Sequence, residues 1–68
     1  MNIEVNERYV PEAEAARILG LSPNTLRNQR HLRRGPAFAK VGRAVRYPLG
    51  GLLEYMKRNT VNFEGMVN

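Results

Sequence analysis

Apolar and polar positions change period three times along this chain. Ala13, Ala16 and Leu19 recur at three-residue steps, which marks one narrow apolar face of a helix. Pro11 suits the first helical position, and Glu12 and Glu14 sit where the positive end of a helix favours carboxylates. The pattern predicts a helix from Pro11 to about Leu19, although Val10 before it is a poor cap. Gly20 stops that helix, because the position just past a helix end often needs a positive φ. Ser22 then offers a side-chain oxygen to new orphan amides, and Pro23 fits a first helical position that needs no N–H. A second helix follows from Pro23 to about Leu32, with Leu26 as its inward anchor.

The next change is to alternation. Phe38-Ala39-Lys40-Val41 and Ala44-Val45-Arg46-Tyr47 flank Gly42-Arg43, which reads as a β-hairpin with a two-residue or a three-residue loop. Phe38, Val41, Val45 and Tyr47 are its expected apolar contacts. Gly35-Pro36 separates the hairpin from the second helix. Helical period returns with Leu49, Leu52, Leu53 and Met56, a stripe that must pack on something, with Tyr55 at or near the core. This last helix is expected from Gly50 or Gly51 to about Asn59. Ile3 and Val5 punctuate a polar start that suits either a short strand or a frayed arm. The organisation expected is an arm at 1–8, one domain at 9–59 and a tail at 60–68. In the tail, Val61, Phe63, Met66 and Val67 suit disorder or a short adhesive segment. The fold class is mainly α with a small β-hairpin, a winged helix-turn-helix.

Composition excludes more than it suggests. Sixty-eight residues make one domain, and a core of that size rarely yields more than about 3–5 kcal/mol of net stability. There is no Cys, no Asp and a single His, so no metal cluster, carboxylate pair or nucleophile–base arrangement can be assembled. We therefore expect no enzyme, no metal and no cofactor. No apolar run approaches the roughly 20 residues of a membrane span, and no signal-peptide core is visible, so a cytoplasmic protein is expected.

Charge changes the picture further. Net charge is +5, and it is segregated. The acids are Glu4, Glu7, Glu12 and Glu14, then Glu54 and Glu64. From Ala15 to Leu53 there is no acid, while Arg17, Arg27, Arg30, Arg33, Arg34, Lys40, Arg43 and Arg46 are all basic. So one-sided a stretch repels itself unless it meets a polyanion. With Leu26 facing inward, Asn24, Arg27, Asn28 and His31 share the opposite face of the second helix at spacings of i, i+3, i+4 and i+7. Arginine can grip guanine O6 and N7, and asparagine can pair with adenine N6 and N7, both on the major-groove edge. Ser22, Thr25 and the helix-start amides suit a phosphate, as do Arg30, Arg33 and Arg34. Lys40, Arg43 and Arg46 make the hairpin cationic, and a tip arginine suits a narrow minor groove. Double-stranded DNA is the partner this chemistry favours; an RNA-binding or protein-interaction module is the alternative of another class.

The order of these pieces resembles the excisionase (Xis) and AlpA-like family of small winged helix-turn-helix proteins, related to the MerR DNA-binding domain. The resemblance rests on Pro-Glu-Ala-Glu-Ala-Ala-Arg-Ile-Leu-Gly-Leu-Ser-Pro-Asn-Thr-Leu-Arg at 11–27, Gly-Pro-Ala-Phe-Ala-Lys-Val-Gly-Arg-Ala-Val-Arg-Tyr at 35–47 and Leu-Leu-Glu-Tyr-Met at 52–56. Three positions depart from the family pattern. Gln29 stands where an aromatic is usual, Val10 replaces a hydroxyl cap, and Gly50-Gly51 replaces a polar helix start. The resemblance implies that the second helix enters the major groove and the wing lies along the adjacent minor groove. It implies an excisionase, a recombination directionality factor of a phage or mobile element. Such a factor binds as several copies that associate on neighbouring sites, bends attachment-site DNA and helps an integrase. A bacterial or phage-infected cell would be its setting. An AlpA-like transcriptional regulator is the alternative role on the same fold.

Overall fold

A computed structural model describes residues 8–62. Its elements are β1 (Tyr9–Pro11), α1 (Glu12–Leu19), α2 (Pro23–His31), β2 (Ala39–Val41), β3 (Ala44–Pro48) and α3 (Leu49–Arg58). Three helices and a small antiparallel sheet make the expected winged helix-turn-helix. Most of the expected arm at 1–8, and the tail from 63 onward, lie outside the described residues.

The sheet has one strand more than the sequence pattern announces. Its order is β1-β3-β2, so β3 is central, with Val10 opposite Tyr47 and Val41 opposite Ala44. Val10 is a buried strand residue, and Pro11 precedes α1, so the helix begins one place later than expected. Pairing Val41 with Ala44 settles the hairpin loop at two residues. Only its first residue, Gly42, has a positive φ (61°), the pattern of a type II′ turn.

The core is Val10, Ala15, Ala16, Leu26, Tyr47 and Leu52, with Leu19, Val45 and Leu49 packed against it. Ala13 is exposed, contrary to the expected α1 face. Because α1 packs on α2, α3 and the sheet together, the adjacent Ala15 and Ala16 are both covered, and their small side chains allow that close approach. The α3 stripe is also split: Leu52 is buried and Leu49 partly so, but Leu53 and Met56 are 61% and 45% exposed. Of the four hairpin residues expected to pack inward, Tyr47 is buried and Val45 partly buried, whereas Phe38 and Val41 face solvent. Without a side-chain cap, α3 starts one turn-residue early at Leu49, whose amide donates to the Arg8 carbonyl at 2.8 Å. Gln29 is half-buried, and its Oε1 accepts from the Tyr55 hydroxyl at 3.5 Å, so a polar contact spans the place of the usual aromatic.

Both helices of the motif end the same way. The Leu21 amide reaches the Ala16 carbonyl (2.8 Å) and Gly20 reaches Arg17 (3.2 Å). Likewise Arg34 reaches Gln29 (2.7 Å) and Arg33 reaches Arg30 (3.0 Å). These are paired Schellman closures. At the left-handed position the first has Gly20 (φ 74°), but the second has Arg33 (φ 61°). An L side chain there is strained, while glycine is not.

Two stability outcomes follow from this packing. Leu26→Ala is expected to cost about 2–5 kcal/mol, enough to unfold so small a domain in a thermal melt followed by circular dichroism. Arg33→Gly is expected to raise stability by roughly 0.5–1 kcal/mol in urea titration, because it removes the left-handed strain.

Candidate nucleic-acid interface

Helix α2 divides cleanly around its axis. Leu26, Gln29 and Arg30 face inward, and Asn24, Thr25, Arg27, Asn28 and His31 are exposed. The four residues expected to read bases therefore do share one outer face. Among the described residues, Asn28 and His31 have no side-chain partner in the fold, which leaves their hydrogen-bonding groups to solvent or a ligand.

Arg27 is different. Its Nη1 donates to Asn24 Oδ1 at 3.2 Å, and its Nη2 donates to Glu12 Oε1 at 3.1 Å. The guanidinium is thus held across the outer face while its side chain stays 49% exposed. Glu12 comes from the start of α1, so the acid-free face of α2 borders an acid supplied by another element. No periodicity within α2 signals that pairing; only the helix-turn-helix geometry brings residues 15 apart together.

Arg30 is turned into the fold and away from the phosphate role expected of it. Its Nη1 donates to Glu12 Oε2 at 2.6 Å and to the Tyr47 hydroxyl at 3.0 Å. The guanidinium also lies 5.6 Å from the Phe38 ring centroid, within cation–π range, and Phe38 is tilted against Tyr47 at 6.1 Å. Only 15% of the Arg30 side chain is exposed. Glu12 and Tyr47 raise the Arg30 pKa, so it remains charged. Burial alone would push the Glu12 carboxyl up, but hydrogen bonds from Arg30 and Arg27 overcome it and hold Glu12 below its ordinary range.

The start of α2 is partly self-satisfied. Ser22 Oγ accepts from the Thr25 amide at 3.1 Å and lies 2.9 Å from the Thr25 hydroxyl. The Leu26 amide donates to the Ser22 carbonyl, and Pro23 has no N–H. Fewer free amides remain here than the sequence suggests, and the two hydroxyls serve the cap as well as any phosphate.

Beyond α2, Arg33 and Arg34 are exposed and line a concave surface with Pro36, Phe38 and Arg58 of α3. Arg58 was not among the expected site residues, because its place in a last helical turn already has a dipole explanation. In the wing, Arg43 occupies the turn. Lys40 is opposite Val45 and shares its core-side face, whereas Arg46 is on the other face opposite Ala39. The three wing cations therefore do not form one flat patch. Arg46 also donates to the Val45 carbonyl at 2.9 Å.

Residues 12–60 match the family described as the helix-turn-helix domain. The chain belongs to that family, which covers small DNA-binding proteins of the excisionase and AlpA-like kind, and membership implies binding to DNA. No curated protein matches the sequence significantly. Among the described residues, no group of His, Asp, Glu or Cys could hold a metal, and no helix is long and apolar enough to cross a membrane.

Arg30→Ala should cost about 1–3 kcal/mol, because Glu12 Oε2 and the Tyr47 hydroxyl lose their shared donor and Arg27 is left as the remaining partner of the carboxylate, whereas Arg34→Ala should stay within about 0.5 kcal/mol; urea titration distinguishes them. The Glu12 contribution has a defined pH sign. Its folded pKa lies below the unfolded value, so its stabilisation is complete above the ordinary glutamate range and disappears as pH falls through the depressed folded value. Melting temperature should drop on acidification through that window, and Glu12→Gln should flatten the drop.

Proposed function

We propose that this helix-turn-helix protein is a sequence-specific excisionase, a recombination directionality factor that bends attachment-site DNA and promotes integrase-mediated excision of a phage or mobile element. The observation that carries the DNA-reading half of this proposal is the outer face of α2. Asn24, Arg27, Asn28 and His31 stand exposed together on a helix whose other side is anchored by Leu26 and Arg30. A guanidinium and two amides on one face match the donor and acceptor code of the major groove. Ser22, Thr25, Arg33 and Arg34 would hold phosphates at the two ends of α2. Arg43 would enter the adjacent minor groove from the hairpin tip, with Lys40 and Arg46 diverging to phosphates on either side. Arg30 is left to the fold.

The excisionase role is supported by the family and by the resemblance of residues 11–27, 35–47 and 52–56. It calls for several copies on neighbouring sites and for a recombinase partner. The decisive experiment is an excision assay with the integrase encoded beside the protein, joined to footprinting. Excision that depends on the protein, with an extended footprint over repeated sites, supports the proposal. Normal excision without it, and a single protected site at a promoter, would establish the AlpA-like regulator instead.

Contact roles predict distinct mutant behaviour. Arg27→Ala should weaken specific binding by roughly 1–3 kcal/mol and relax preference at one base pair, read by binding to a panel of single-substitution duplexes. Arg43→Ala should weaken binding more evenly across that panel and make the dependence of affinity on salt shallower.

A further inference from the structure

Glu12 holds Arg27 through Oε1 while its other oxygen is fixed by Arg30. The carboxylate is therefore not a loose surface group but is anchored from the interior and presented to the reading face. An arginine has five N–H donors. Arg27 spends one on Asn24 and one on Glu12, from different Nη atoms, so each Nη keeps an N–H and Nε keeps its own. These three remaining N–H groups are the donors left for a two-pronged grip on guanine O6 and N7. A phosphate brings a negative charge against the Glu12 carboxylate, well within a Debye length, and competes with it for the same guanidinium.

We propose that Glu12 is a specificity-determining positioning residue: it orients the Arg27 guanidinium for a base edge and opposes the use of Arg27 as a phosphate contact. The inference rests on α2 being the base-reading helix. Glu12 lowers affinity for random sequence more than for the target, and so widens the gap between them. A merely structural Glu12 would affect both equally.

The test uses the full chain and two duplexes, one selected from a random pool and one scrambled from it. Glu12→Gln should reduce the ratio of specific to non-specific affinity about tenfold and steepen the salt slope for the scrambled duplex by about one unit, as Arg27 turns to a phosphate. Repeated in an Arg27→Ala background, the same change should leave the ratio unaltered. Should Glu12→Gln fail to fold, Glu12→Asp keeps a charge near Arg30 but draws the carboxylate one methylene back from Arg27, and the ratio should fall in the same direction. An unchanged ratio, or the same loss with and without Arg27, overturns the proposal. A wild-type protein that prefers no duplex from the pool overturns the reading of α2 itself, and this inference with it.

Discussion

Two of the eight basic residues in the acid-free span, Arg27 and Arg30, are paired in the fold with an acid that lies outside it. Glu12 is that acid. At the first position of α1 it bridges Arg27 and Arg30 of α2, and Arg30 continues to Tyr47 of β3 and the Phe38 ring. One carboxylate thereby ties the two helices of the motif to the central strand. The same contact separates α2 into an anchored side and a reading side. Beneath this junction Leu26, Tyr47 and Leu52 are the largest fully buried side chains of a small core.

Much of this architecture was legible in the residues. Gly20, Ser22 and Pro23 mark one helix end and the next helix start, and the structure places both there. Leu26 is the lone apolar residue of its helix interior, so its inward direction, and the outward direction of Asn24, Arg27, Asn28 and His31, follow from a 100° step. Other features were hidden for definable reasons. Strand β1 is three residues long and pairs with β3 more than thirty positions later, so no local alternation announces it. Of the expected α1 face, Ala16 and Leu19 pack inward and Ala13 does not, because alanine is a weak hydrophobic marker and α1 is covered from several sides. Arg33 gives no sign in sequence that it takes a conformation suited to glycine. The pairing of Glu12 with α2 arises only once the turn is folded.

Arg30 of α2 and Arg33 just beyond its end stand in opposite relations to the fold. Arg30 strengthens the fold by being withdrawn from the surface. Arg33 holds a strained backbone while presenting a charge beside Arg34 and Arg58. Backbone outliers of this sort gather at functional positions, and the direction of inference is from the observed strain to the role.

The proposed DNA surface is the outer face of α2 together with the tip of the β2–β3 hairpin. Titrating isotope-labelled protein with a duplex selected from a random pool, and following its amide and arginine side-chain resonances by NMR, tests this most directly. The account predicts the largest changes at Asn24, Arg27, Asn28, His31, Gly42 and Arg43, with Leu53 and Met56 of α3 undisturbed. Changes centred on α3, with α2 and the hairpin tip silent, would contradict it.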